Sequence, residues 1–477
     1  MPIKQPPRRV TRCTKRGMRH PAPDGLSQRH IETDFSGGVI TSNGGVTLLR
    51  RADERLDLTP RVAASFTDHR RPELVVHDVD TLVLQRLYGL ALAYEDLNDH
   101  EDLRWDRALQ AVAGRTTPRR GDCAPLAGKS TLNRLELAAA GRNDDKARKI
   151  VVDTERLDRL LVALCVESFP SEPAEVVLDL DATDIPLHGE QEERFYHGYY
   201  REYCYMPLLF LIGQQPVLVR MRSAGKDAAA GVEEDLGWLL DRLREAWPST
   251  RIILRTDSGF CREAILATCE SRARVDYVMG LAKNRRLEKK IAVEMAEAVI
   301  QAEESGQAAR RFGEFRYSTL ESWSRERRVI GKAEALPPPE DGGESKENPR
   351  FIVTSLPAAT HPARSLYEDL YCARGEAENR VKEHKLGLFS ARCSSNLFDA
   401  NTLRFYLSTF AMILFRKLRE ALHGTRLAVA SAGRIRLRLL KIGALVRMSV
   451  RRVHLAISSA CPDQDLFRIA WERLGAT

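Results

Sequence analysis

Between residues 70 and 168 the apolar positions recur at helical spacing. Val76, Val79, Val83, Leu87, Leu90 and Tyr94 follow in steps of three and four, which gathers them on one face of a helix. The pattern changes at residue 174. AEVVLDLDATD is an apolar run that closes on carboxylates, and CYMPLLFLIG (204–213) and QPVLVRMRSA (215–224) read as the next strands. Leu236, Leu239, Leu240, Leu243 and Trp247 then mark an amphipathic helix. RIILRTDSG (251–259) is a fourth strand, REAILATCESR a second helix and DYVMGLA (276–282) a fifth strand. Three strands, helix, strand, helix, strand predicts an α/β fold with a mixed five-stranded sheet flanked by helices.

Beyond that the chain turns polar and irregular. EFRYSTL, RERRVIGKAEAL and PRFIVTSL read as short strands divided by the loop PPPEDGGESKEN, a β-rich insertion interrupting the sheet. A helix rich in Leu and Phe follows (NTLRFYLSTFAMILFRKLREAL). RIRLRLL and LVRMSVRRVHLAIS alternate basic with apolar residues, which predicts a hairpin turning at Ile442-Gly443. The divisions that result are a basic disordered arm (1–24), a helical region (25–168), a first part of the core (169–283), the insertion (284–362), a second part of the core (363–423) and a basic C-terminal hairpin and tail (424–477).

Composition narrows the class. The 477 residues are 43% hydrophobic and 29% charged, which excludes disordered and fibrous chains. A formal charge of +8 favours an acidic partner such as nucleic acid. The charge is concentrated in the first residues, where Lys4, Arg8, Arg9, Arg12, Lys15, Arg16 and Arg19 lie among prolines. Nine scattered cysteines form no CxxC pair, so neither a disulfide framework nor a zinc module is implied, and a reducing cytoplasm is the expected compartment. No apolar stretch is long enough for a membrane span. YEDLNDHEDLRWD brings Asp96, Asp99, His100 and Asp102 together, a pattern that suits helix capping at a turn better than metal ligation. KSTLNRLELAAAGR opens a helix behind a basic loop, which could enter a DNA groove.

Two aspartates stand where strands give way to loops: Asp181 in DLDATD and Asp257 in RTDSGF. This is the usual edge for active sites in open α/β sheets. If the first and fourth strands are adjacent, these carboxylates are neighbours, and a divalent cation relieves their repulsion. An all-oxygen ligand set points to Mg²⁺ or Mn²⁺ rather than zinc. Asp181 ranks first in its segment, with Asp179 and Asp184 as alternatives.

A third carboxylate sits in YCARGEAENRVKEHK (371–385). Tyr371, Arg374, Glu378 and Lys385 are separated by three, four and seven residues and return to one helical face, which Lys382 shares. Glu376, Arg380 and Glu383 point elsewhere, as a solvated lattice of charge. The stripe sets an acid beside a phenol, a guanidinium and ammonium groups, and arginine and lysine suit phosphate.

With these residues in order, the sequence resembles the bacterial insertion-sequence transposases of the DDE superfamily, which work on an RNase H-like fold. Tyr371, Arg374, Glu378 and Lys385 match the spacing of the Tyr-Arg-Glu-Lys motif of one large branch. LDLDATDIPLHGEQE, FYHGYY, YCYMPL, TDSGFCRE, YEDLNDHEDLR and RLRLLKIGALVRMSVRRVHL resemble the insertion-sequence family numbered thirteen-eighty. The resemblance implies an RNase H-like core interrupted by a β-rich insertion and preceded by a helical DNA-binding or dimerisation region. It implies Asp181, Asp257 and Glu378 as a triad holding two Mg²⁺ ions around a scissile phosphate of double-stranded DNA, with Tyr371, Arg374 and Lys385 gripping nearby phosphates. A homodimer pairing two terminal inverted repeats and joining them to target DNA, at the bacterial nucleoid, is the expected assembly. Related enzymes cut through a hairpin and stack a flipped base on an aromatic residue, for which Trp323 is the candidate, with a hydrophobic pin as the alternative. Lys283, Arg285, Arg286, Lys289 and Lys290 could form a phosphate track. His188 and His197, close to the first strand, are read as structural or phosphate-contacting. The competing functions are a transposase-derived DNA-binding protein without cleavage and a nuclease that hydrolyses without joining strands.

Overall fold

Asp78 accepts a hydrogen bond from the Thr81 N–H at 2.8 Å and so starts a helix whose apolar face continues right around it. This helix, α2 (Val79–Ala91), follows α1 (Val46–Leu56) and precedes α3 (Lys129–Glu136) and α4 (Thr154–Val166). The computed structural model describes residues 18–20, 31–117, 122–139, 149–339, 343, 345–449 and 451–475. The predicted basic arm lies outside the described residues, apart from Met18–His20, which pairs antiparallel with Ile31–Thr33.

The sheet begins with β1 (Glu175–Ala182), β2 (Leu208–Ile212) and β3 (Gln215–Arg220), followed by α5 (Val232–Ala246), β4 (Arg251–Thr256), α6 (Glu263–Glu270) and β5 (Val275–Leu281). The predicted order of elements is therefore present. β1 pairs antiparallel with β2 and parallel with β4, and β4 pairs parallel with β5. Leu178, Leu180, Ile252 and Leu254 are buried with Leu236, Leu240, Ile265 and Leu266, so α5 and α6 cover one face. Ile253 and Val278 on the other face are buried with Leu366 and Tyr367.

The sheet extends well past five strands. β6 (Ala309–Tyr317), β7 (Arg327–Leu336) and β8 (Arg350–Thr354) continue it in the order β3-β2-β1-β4-β5-β8-β7-β6, and Lys346–Glu347 adds a short pairing on β7. Strands within the range expected as a β-rich insertion are thus hydrogen-bonded to the core through the antiparallel β5–β8 ladder. Nor is 284–308 irregular: it forms α7 (Arg285–Lys290) and α8 (Ala292–Ser305). Ile291, Met295, Ala298 and Ala302 are buried at steps of four, three and four, a narrow apolar stripe concealed by the surrounding Glu and Lys.

The glutamate segment is one helical run, Ala363 to Gly387, in which α9 (Gly375–Lys382) lies between wide π-type turns at Leu366–Tyr371 and Glu383–Gly387. It leads to α10 (Phe398–Ala421), buried along most of its length and packed against α1, α2, β3 and the terminal helix α11 (Gln464–Gly475). No helix among the described residues is long and apolar enough to cross a membrane.

The C-terminal hairpin differs from the alternation reading. β9 (Ala444–Met448) pairs with β10 (Val453–Ile457), the turn lies near Ser449–Arg452 instead of Ile442-Gly443, and Ile40–Thr41 adds a third strand. RIRLRLL is helical. Ile435, Leu439 and Leu440 are buried at helical spacing, whereas Leu437 is exposed. Arg436 is buried as well, donating to the carbonyls of Ala91 and Gly387. Packing against the helical core overrides the period-two pattern.

Candidate active site

Register brings the first two carboxylates together. Across the parallel β1–β4 ladder Arg255 faces Asp179 and Thr256 faces Leu180, so Asp257 follows one step on, beside Asp181. Asp257 then leaves the sheet, and its carboxylate accepts from the Gly259 N–H at 2.8 Å. Asp181 accepts from the N–H of Ala182 at 3.0 Å.

Glu378 reaches the pair from α9, which packs over β1. Arg374, one turn earlier, is the link: its guanidinium lies 3.6 Å from the Asp181 carboxylate and is ion-paired with Glu378. Burial pushes the Asp181 carboxyl up to about 6; the charges of Asp257 and Glu378 add to this and Arg374 opposes it. The Tyr371 hydroxyl is also pushed upward, first by burial, with Asp257 and Glu378 contributing. Tyr371, Arg374, Asp181, Asp257 and Glu378 therefore occupy one site.

The two alternatives to Asp181 have other partners. Asp179 is buried and receives a two-pronged hydrogen bond from Arg255, at 2.6 and 2.8 Å. The same guanidinium donates to the Leu370 carbonyl at 2.6 Å, tying the start of the glutamate segment to the sheet. Asp184 accepts from Lys385 Nζ at 2.8 Å, so Lys385 anchors the far end of that segment to the chain leaving β1. Lys382 is exposed, with no ion-pair partner among the described residues.

The solvated lattice expected around Glu378 is only partly solvated. Glu376 is half-exposed and pairs with Arg380 at 3.1 Å. Glu383 is buried, receiving Arg380 at 2.8 Å, Arg419 and the backbone N–H of Ala432. The turn at 383–387 rotates Glu383 inward against α10, which spacing in a regular helix does not anticipate.

Trp323 is also placed differently from the stacking expectation. It is 8% exposed, set edge-on to Tyr317 at 5.9 Å and covered by the Arg327 guanidinium at 5.2 Å. Arg327 is in turn held by Glu263 and Glu270 at 2.8 Å each. Burial of this kind between β6 and β7 suits the hydrophobic-pin alternative better than a ring free to stack on a base. Of the expected phosphate track, Lys283, Arg285, Lys289 and Lys290 are exposed. Arg286 is exposed too and lies over Tyr317 at 5.1 Å.

Gly280 on β5 escaped sequence reasoning, although a glycine inside the apolar run DYVMGLA is a signal of close backbone approach. A Cβ there would lie 2.6 Å from the Tyr371 hydroxyl, 2.8 Å from Ser258 N and 3.1 Å from the Asp257 carbonyl carbon. Gly280→Ala is therefore expected to displace the Asp257 turn. The expected cost is about 1–3 kcal/mol of stability. Urea unfolding checks it; a variant as stable as the wild type contradicts the tight contact.

The donor set is all oxygen, and two of its three carboxylates are fixed to the sheet. Among the described residues no group of three His, Cys, Asp or Glu is drawn together closely enough to hold a metal ion. Arg374 supplies positive charge between Asp181 and Glu378. Glu378 is about half-exposed and held by Arg374, so oxygen ligands of the kind a divalent cation takes are present, but they are not closed around a cation position in this arrangement.

No curated protein matches the chain. Among solved structures, a piggyBac transposase synaptic complex with hairpin DNA is similar over 83% of this chain and 79% of its own, with 12% identity and a TM-score of 0.40. The family described as transposase DDE domain group 1 matches residues 24–477, and the chain belongs to that family.

Proposed function

We propose that the protein is a cut-and-paste transposase of an insertion sequence, hydrolysing a phosphodiester at each element end and transferring the freed 3′ end to target DNA. The observation that carries this is that Asp181 and Asp257 end neighbouring strands at the carboxyl edge of an α/β sheet, with Arg374 linking Asp181 to Glu378. An RNase H-like core is the reading that β1–β5 and the glutamate helix support best. Asp181, Asp257 and Glu378 would hold two Mg²⁺ ions, which supply activation of the attacking oxygen and stabilisation of the leaving oxygen. Arg374 exchanges its carboxylates for a phosphate of the bound strand, a role its planar fork suits. Tyr371, Lys382 and Lys385 border the same strand, and the exposed Lys283, Arg285 and Arg286 extend the basic surface away from it. Two copies, each holding one end, would form the paired complex.

The test is to incubate the protein with labelled element-end DNA, Mg²⁺ and a target duplex. End-specific cleavage followed by joining, abolished by EDTA and by Asp181→Ala, is the expected result. Binding without cleavage would make the protein a DNA-binding relative, and cleavage without joining a nuclease. Cleavage that survives Asp181→Ala removes the assignment of that residue.

A further inference from the structure

Beyond the end of β1 lies the segment RFYHGYYREY (194–203), which holds more exposed aromatic surface than its neighbours can cover. Phe195–His197 and Glu202–Tyr205 form a hairpin that pairs with Ile185–Pro186. Tyr199 is 84% exposed, Phe195 and Tyr196 50%, Tyr203 44% and Tyr200 37%. So many exposed rings in one hairpin mark an interaction site.

The base of the hairpin is rigid. Tyr205 is buried, sits edge-on to Phe398 at 5.2 Å and donates to the Glu192 carbonyl. Its tip is set by a tight turn in which Arg201, at φ 58°, donates its N–H to the His197 carbonyl at 2.8 Å. The rings meet edge to face: Tyr199 and Tyr200 at 5.0 Å and 90°, Tyr196 and Tyr203 at 5.5 Å and 72°. Tyr200 also lies against His197 at 5.0 Å, so Tyr199 presents the most open ring of the group to a further planar group. Arg194 over Tyr203 at 4.6 Å and the exposed Arg201 provide cations beside the rings, although Glu190 also pairs with Arg194.

The hairpin lies on the catalytic edge. Its partner strand begins at Ile185, next to Asp184 and four residues beyond Asp181. The Thr183 N–H donates to the Pro207 carbonyl at 3.2 Å, folding the hairpin back over the end of β1. The Tyr200 hydroxyl is pushed upward, by burial first and then by the charge of Asp184, with Asp181 contributing.

We infer that the Tyr199–Tyr200 tip and its flanking rings form a stacking platform for unpaired bases of the DNA end being processed. This rests on the proposed activity for its substrate, but stacking itself requires no chemistry. Aromatic faces bind any base, and cations beside them follow the backbone.

Binding is measured in EDTA with a duplex carrying a short single-stranded overhang that contains a fluorescent adenine analogue, against the same duplex made blunt. The wild-type protein is expected to prefer the overhang by about tenfold, with the fluorescence quenched by stacking. Tyr199→Ala with Tyr200→Ala should lose both signals, and Tyr199→Phe with Tyr200→Phe should keep them, since the ring and not the hydroxyl does the stacking. Equal affinity of the wild type for the two duplexes, or a preference that survives the alanines, overturns the inference. So does an alanine variant with unchanged DNA binding that sediments as a smaller species, because the rings would then join two copies. Overhang preference in a protein that fails to cut element ends in Mg²⁺ would refute the transposase reading and leave the platform standing.

Discussion

Asp181→Asn is expected to lower DNA cleavage by roughly 10³-fold, on the order of 4 kcal/mol of transition-state stabilisation, while leaving the protein folded and more resistant to unfolding at neutral pH. The two effects have one cause. Asp181 sits at the end of a buried strand beside Asp257 and Glu378, and its carboxyl is pushed up to about 6 from an ordinary 3.8. Its charged form is thus less favourable in the folded chain than in the unfolded one. Below about pH 4 the group is protonated in both states and this cost is absent. Between there and about pH 6 the folded state binds the extra proton, so stability declines as pH rises. Above pH 6 the cost is fully present, and there the neutral asparagine gains its advantage.

Unfolding in urea at pH 4 and pH 7 separates the outcomes. A stability gain for Asp181→Asn at pH 7 that vanishes at pH 4 agrees with the burial and charge of the site. A loss at pH 7 would show that the Arg374 contact outweighs the desolvation, and a variant that still cuts DNA would remove Asp181 from the reaction. The same titration governs ion binding: affinity for Mn²⁺ should fall as pH drops through about 6, because proton and metal compete for one carboxylate.

The carboxylates and the order β1 to β5 were legible because their signals are local. A strand end, a glycine-marked turn and a three-four-seven helical spacing need no knowledge of the rest of the chain. The partners of those residues were not legible. Asp179 and Asp181 share a strand face and differ only in what lies across the sheet, Arg255 for one and Asp257 for the other. Glu383 looks like any acid on a charged helix until the wide turn at 383–387 rotates it against Arg419. Trp323 and the stripe of α8 lie among Arg and Glu, so their burial depends on strands that pair at long range. The C-terminal alternation misled for the same reason: RIRLRLL keeps period two in sequence but packs at period 3.6 on the helical core.

The largest expected loss of stability lies in the helical core, at Glu136 on α3. Its carboxylate is 1% exposed and stands between two guanidiniums, Arg86 of α2 at 2.9 Å and Arg404 of α10 at 2.6 Å. Arg86 is equally buried, and beyond this pair meets His100 at 3.0 Å and the Glu95 carbonyl at 3.2 Å. Glu136→Ala therefore leaves two cations facing each other with little water to separate them. Breaking such a group by removing one partner costs about 3–5 kcal/mol, and here the removed partner serves both. The expected result is a large fall in the urea midpoint at unchanged slope. Replacing the buried pair together, Glu136→Leu with Arg86→Met, should recover part of the loss, since the more deeply buried cation is removed while Arg404 still loses its carboxylate. A Glu136→Ala protein as stable as the wild type would mean that water reaches the two arginines. A double variant no better than the single one would mean that the carboxylate matters for the geometry of α3 and not for charge.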